Sequence, residues 1–145
     1  MAAISDDEVL ARFPGRAVDH DNKDYYRGLL LKELRLNRCD ACEAWSVPPR
    51  SICPRCWSDR VRAHPVAGEG RVEMLAWIHQ GSPPPGVELP YGFAIVGLFE
   101  QPGVRFSGPL VNCARENGRI GMHVHLCWGE RDGAPYPQFE PISPK

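Results

Sequence analysis

Two C-x-x-C pairs, Cys39-x2-Cys42 and Cys53-x2-Cys56, are separated by only ten residues. Each pair turns the chain so that two thiolates converge, and two such turns complete a tetrahedron of sulfur with no position left for water. That constrains this stretch to a metal ribbon, and a closed site of this kind stabilises structure and does not catalyse. Pro48, Pro49 and Pro54 stiffen the arm and the second knuckle, which lowers the entropy lost when the ribbon closes on its metal. Without a secretory signal, a reducing compartment favours metal over disulfides for such pairs. Cys113 and Cys127 are left over, and both read as inert buried thiols on strands.

Iron competes with zinc for four thiolates, because Cys53-Pro54-Arg55-Cys56 has the C-P-x-C form of a rubredoxin knuckle. Such knuckles usually place glycine after the second cysteine, where a positive backbone angle is wanted. Here Glu43 and Trp57 occupy those places. A redox-inert zinc ion suits a scaffold better than electron transfer and is the expected metal. Trp45 and Trp57, beside the knuckles, are expected to shield the sulfurs.

The 145 residues are 43% hydrophobic and 24% charged, enough for one ordinary domain or two very small ones. A net charge of −1 offers no bulk attraction to nucleic acid or anionic membrane. No apolar run approaches the roughly 20 residues of a membrane span, and the N-terminus is acidic where a signal peptide would be basic. A cytoplasmic location is the expectation.

Ser5-Asp6-Asp7-Glu8 has the form of a capping box and predicts a helix to about Arg12, stopped before Pro14-Gly15. A second helix is predicted from Asp21, with Asp24 in its first turn and Tyr25, Tyr26, Leu29 and Leu30 at helical spacing. From Glu33 the alternation of Leu34 and Leu36 with Arg35 and Asn37 predicts a strand entering the first knuckle. Gly68-Glu69-Gly70 marks a turn or bulge. Strands are then predicted at Arg71 to His79, Tyr91 to Phe99, Val104 to Ser107, Leu110 to Ala114 and, after an Asn117-Gly118 turn, His123 to Trp128, with Phe139 as a late anchor. The proline-rich loop from Gly81 to Gly86 is expected to project. Five short strands with little helix between them suggest a small closed barrel of the OB type. The whole is mainly β with N-terminal α-helices: helices over 1–32, zinc ribbon over 33–66, and a five-stranded OB-like barrel over 67–145.

No catalytic set emerges. There is no G-x-S-x-G elbow, phosphate loop or Rossmann fingerprint. His123 and His125 share a strand face with no carboxylate at recognisable spacing. Six arginines, Arg35, Arg38, Arg50, Arg55, Arg60 and Arg62, outnumber four acids about the ribbon. Arginine holds phosphate in bidentate fashion, so some of these could bind a phosphorylated ligand.

Taken together, Asp24-Tyr25-Tyr26-Arg27-Gly28-Leu29, the four cysteines, Pro48-Pro49, Gly68-Glu69-Gly70, Pro90-Tyr91, Gly121-Met122 and Phe139-Glu140-Pro141 form a familiar order over residues 20–142. The chain resembles the acyl-CoA-associated OB-fold family with an N-terminal rubredoxin-like zinc ribbon, formerly a domain of unknown function. The resemblance implies a non-catalytic companion of thiolase-like enzymes, thiolases or acyl-CoA aldolases, that helps bind acyl-CoA while the partner supplies nucleophile and bases. On that implication the ligand is CoA or acyl-CoA. Arg38, Arg50 and Arg55 become candidate phosphate contacts, and Tyr25 and Tyr26 candidate apolar contacts. Two other classes stay open. A single-stranded nucleic-acid-binding OB protein would want a basic groove, whereas residues 100–145 hold five basic and five acidic residues. A rubredoxin-like electron carrier would contain iron.

Overall fold

The computed structural model describes residues 3–142. Residues 1, 2 and 143–145, which the outer sequence segments include, lie outside the described residues. The chain forms two compact units, one running to Val66 and taking in Asp132–Pro135, the other comprising Ala67–Arg131 and the chain from Tyr136.

The first unit opens with α1 (Asp6–Arg12), where the Ser5 hydroxyl accepts the Glu8 N–H as the capping signal requires. Helix α2 (Lys23–Leu30) begins two residues later than the sequence suggests. The Asp19 carboxylate accepts the N–H groups of Asp21 and Asn22, and the Asn22 side chain accepts the Asp19 N–H in return. This pair of local turns occupies the position predicted for the first helical residues. Asp24 does not cap; it pairs with Arg27, which also reaches Asp6 and donates to the Ile4 carbonyl.

Three antiparallel strands follow in the order β2 (Trp45–Ser46), β1 (Arg35–Cys39), β3 (Val61–Pro65). Leu34 and Leu36 are buried as their alternation predicts. Asn37, on the opposite face, is buried too, because its amide donates to the Arg50 carbonyl and the cysteine arm covers it. Gly28 lets α2 lie against this entry: a Cβ there would stand 2.7 Å from the Glu33 carbonyl oxygen and 2.8 Å from Arg35 Cγ.

The second unit is a closed five-stranded barrel in the order β4 (Glu69–Ile78), β5 (Tyr91–Leu98), β6 (Arg105–Leu110), β8 (Ala134–Pro141), β7 (His123–Arg131). Its core consists of Val72, Ala94, Val96, Leu98, Leu110, Val124 and Phe139. A bulge at Glu73, where the β4–β5 register shifts between Val72 and Met74, reverses the inward face of β4. Met74 is consequently 48% exposed, while Leu75 and Trp77 turn inward beneath Gly118. Gly70 is required by close approach, since a Cβ would fall 2.3 Å from the Gly97 carbonyl oxygen.

Five is the number of barrel strands the sequence predicts, but one of them is a different segment. The chain predicted as a strand at 110–114 leaves β6 after Leu110 and enters a short 3-10 helix, Arg115–Asn117. Asn117-Gly118 is therefore not a hairpin turn. Cys113 accordingly lies off the strands. The fifth strand is β8, whose prolines hide it: Pro135, Pro137 and Pro141 all present their backbone to the side on which Phe139 meets β6. Leu110↔Phe139 is the one pair in that parallel ladder, and the Val111 N–H donates to the Phe139 carbonyl. The signal that reveals the β7–β8 hairpin is Asp132-Gly133, with φ 52° and 78°, the two positive angles of a type I′ turn. The 81–86 loop turns through a Val87 N–H bond to the Pro84 carbonyl, and Pro84 is buried.

Candidate metal centre and ribbon surface

The two knuckles repeat one set of backbone bonds. The N–H of Cys39 donates to the Ala44 carbonyl and that of Cys53 to the Ser58 carbonyl, each at 2.9 Å. The carbonyls of Cys39 and Cys53 accept from Glu43 and Trp57, at 2.8 and 2.9 Å. Glu43 and Trp57 have φ of 66° and 64°, so both hold the left-handed conformation in which glycine was expected. The knuckle forms without glycine.

All four sulfurs lie within 4.8 Å of one another, with Cys39–Cys56 and Cys42–Cys53 each at 3.6 Å. A tetrahedral zinc–thiolate centre with bonds of about 2.3 Å has edges of about 3.8 Å, so the donor set fits that ion. The N–H of Arg55 points at Cys53 Sγ, 3.4 Å away. N–H groups of Cys42 and Ala41 pull the Cys39 thiol down to about 6 against burial, and those of Cys56 and Arg55 lower Cys53. At Cys56 the Ser58 N–H acts in the same sense, but burial and the other thiols outweigh it and push the group up to about 12. Backbone N–H groups thus favour the thiolate forms of Cys39 and Cys53, and a cation at the centre would displace the protons that remain.

The five residues proposed for ligand contact separate. Arg38 is engaged by its own ribbon, 3.3 Å from Glu43 and over the Trp45 ring. Tyr25 and Tyr26 pack edge to face at 5.1 Å, and Tyr26 meets Phe13 at 5.0 Å, an aromatic cluster within the helical segment. Arg50 and Arg55 are exposed, with no side-chain partner among the described residues. Arg50 lines a cavity of about 340 Å³ together with Asp21, Ser51, Ile52, Pro54 and Trp57. Trp57, expected to shield the sulfurs, is 80% exposed: the left-handed turn throws its indole outward. Trp45 packs edge-on against His64 instead. His64 and Arg62 both reach Asp40, whose carboxyl they hold below its usual range, Arg62 foremost.

On the barrel, His123 and His125 do meet carboxylates, Glu69 at 3.2 Å and Glu140 at 2.9 Å, brought by the neighbouring strands β4 and β8. No spacing in the sequence records such pairs, because they cross strand ladders. Cys113 and His123 help line a cavity of about 550 Å³ with Asn112, Arg119, Met122 and Ile142. Burial raises the Cys113 thiol, and burial with Glu140 pushes Cys127 up to about 11, so both are protonated at neutral pH.

Residues 28–62 match the family described as ChsH2, rubredoxin-like zinc ribbon domain, and residues 63–129 that described as ChsH2, C-terminal OB-fold domain. A probable enoyl-CoA hydratase alpha subunit of Thermomonospora curvata is 35% identical over 133 residues, 91% of this chain and 41% of that protein. A DUF35 domain-containing scaffold protein of Methanocaldococcus jannaschii is 33% identical over 88 residues, 60% of this chain and 61% of that one. The chain thus spans less than two thirds of either curated relative. A chain of the solved Ltp2-ChsH2(DUF35) aldolase superposes with a TM-score of 0.78 at 33% identity, over 88% of this chain and 99% of that chain.

Proposed function

The chain belongs to the ChsH2/DUF35 family, a rubredoxin-like zinc ribbon followed by an OB-fold domain, and from that membership we propose that it is a non-catalytic accessory subunit of a thiolase-superfamily enzyme. It helps bind acyl-CoA and stabilises the complex. The observation that carries this reading is the likeness to a solved chain that assembles with the aldolase Ltp2, over 99% of that chain. A relative named a scaffold protein supports it.

In this reading Cys39, Cys42, Cys53 and Cys56 hold a structural Zn²⁺, which supplies cohesion to the ribbon and no open position for chemistry. The nucleophile and bases belong to the partner. The hydratase name of the Thermomonospora relative is given to a protein of which this chain spans 41%, and it carries less weight.

Co-expression with a thiolase-like subunit tests the proposal. The two should copurify, and the complex should turn over acyl-CoA faster than the thiolase-like subunit alone. Failure to copurify, together with unchanged turnover on mixing, removes it.

A further inference from the structure

Trp57 combines two unfavourable features. Its φ of 64° is one that a bulky residue rarely holds and glycine holds freely, and its indole is 80% exposed. At the equivalent position Glu43 recovers something through its ion pair with Arg38. Trp57 has no ring contact or side-chain hydrogen bond among the described residues that would recover anything. The knuckle sets that angle, as it does at Glu43, and it leaves the indole exposed on the wall of a cavity where a ligand could cover it.

The surroundings specify that ligand. Ile52, itself 44% exposed, and Pro54 extend the apolar wall, and Arg50 brings a guanidinium with no partner among the described residues. Asp21 adds a carboxylate that accepts the Ser51 hydroxyl at 2.7 Å and retains acceptor capacity. Its negative charge disfavours a phosphate beside it but suits an amine donor. An aromatic platform, an acceptor and a cation on one cavity complement an aminopurine bearing a phosphate. The volume of about 340 Å³ falls within the range of small-ligand sites.

We propose that this cavity seats the adenosine end of CoA, its purine stacked on Trp57 and its phosphate on Arg50. The inference rests on the acyl-CoA reading above and narrows it to one face of the ribbon.

The test uses the zinc-loaded full chain, titrated calorimetrically with CoA, adenosine 3′,5′-bisphosphate and 4′-phosphopantetheine. CoA and the bisphosphate should bind with similar affinity and phosphopantetheine at least tenfold more weakly. Trp57→Gly should weaken both adenine probes about tenfold. That variant should melt no lower than the parent, because glycine relieves the left-handed strain. Trp57→Phe should retain most of the affinity, and Arg50→Gln, which removes the phosphate contact, should weaken the bisphosphate. Undiminished CoA binding by Trp57→Gly, or no binding of the bisphosphate by the parent chain, overturns the inference. If Trp57→Gly still copurifies with the thiolase-like subunit in either case, the accessory role stands and only the placement of the nucleotide falls.

Discussion

Glu43 and Trp57 hold the same left-handed conformation at the same place in the two knuckles, and each donates its N–H to the carbonyl of its knuckle's first cysteine. A non-glycine residue in this region costs about 1–2 kcal/mol. Glu43 offsets a part of that through Arg38, but it is 75% exposed, and such ion pairs contribute under about 1 kcal/mol. Glu43→Gly should therefore stabilise the zinc-loaded chain by about 0.5–1 kcal/mol, read as an increased urea midpoint. Glu43→Pro, locked at negative φ, should lose the knuckle. A lower midpoint for the glycine variant would show that the ion pair outweighs the backbone.

Gly28 reverses the usual sign of a helix substitution. In an exposed helix Gly→Ala stabilises by about 1 kcal/mol. Here the new methyl would meet the Glu33 carbonyl oxygen at 2.7 Å, and backbone does not yield as a side-chain tip would. Overpacking of this kind costs about 1–3 kcal/mol, so Gly28→Ala should destabilise by about 1–2 kcal/mol in denaturant unfolding. A stabilised variant would mean that α2 moves freely away from the β1 entry.

How much of this was legible in the sequence depends on the range of the interaction. The cysteine spacing and the Ser5 cap are local, and both appear where the residues predict them. The barrel's strand count survives, yet β8 is concealed because a strand that pairs on one side through a single residue can fill the other positions of that edge with proline. The pairs His123–Glu69 and His125–Glu140 cross ladders and leave no periodic trace. Trp57 misled for a different reason: a large aromatic beside the knuckle reads as a shield for the sulfurs, and only the backbone angle turns it outward.

Asp6 makes the helical pair sensitive to acid. The Lys23 hydrogen bond foremost, then the Lys23 charge and Arg27, lower its pKa from the ordinary 3.8 and outweigh the opposing effect of desolvation. A depressed carboxylate contributes stability that is fully present at neutral pH and is lost as pH falls below about 4 through the folded value. Asp6→Asn should be less stable than the parent at pH 7, and the difference should shrink as pH falls below the ordinary carboxylate range. Parallel melting curves across that interval would show that the contact between α1 and α2 does not depend on this charge.

The six cysteines should divide four to two under alkylation. Zinc, if bound, protects Cys39, Cys42, Cys53 and Cys56, and chelation should expose all four, since a ribbon without its metal loses its fold. Cys127, pushed up to about 11, presents a thiolate about once in ten thousand at pH 7, and the raised Cys113 also stays protonated. Iodoacetamide at pH 7 should leave the zinc-loaded chain nearly unmodified and, after chelator, add four groups with Cys113 and Cys127 lagging. Rate and stability then move oppositely with pH. A thiol whose folded pKa is raised contributes stability that is full below the ordinary value near 9 and is lost as pH rises through 11, while its labelling accelerates over the same interval. Rapid modification of Cys127 at pH 7 in the zinc-loaded chain, mapped by mass spectrometry, would show that β7 opens readily and that burial does not govern this thiol.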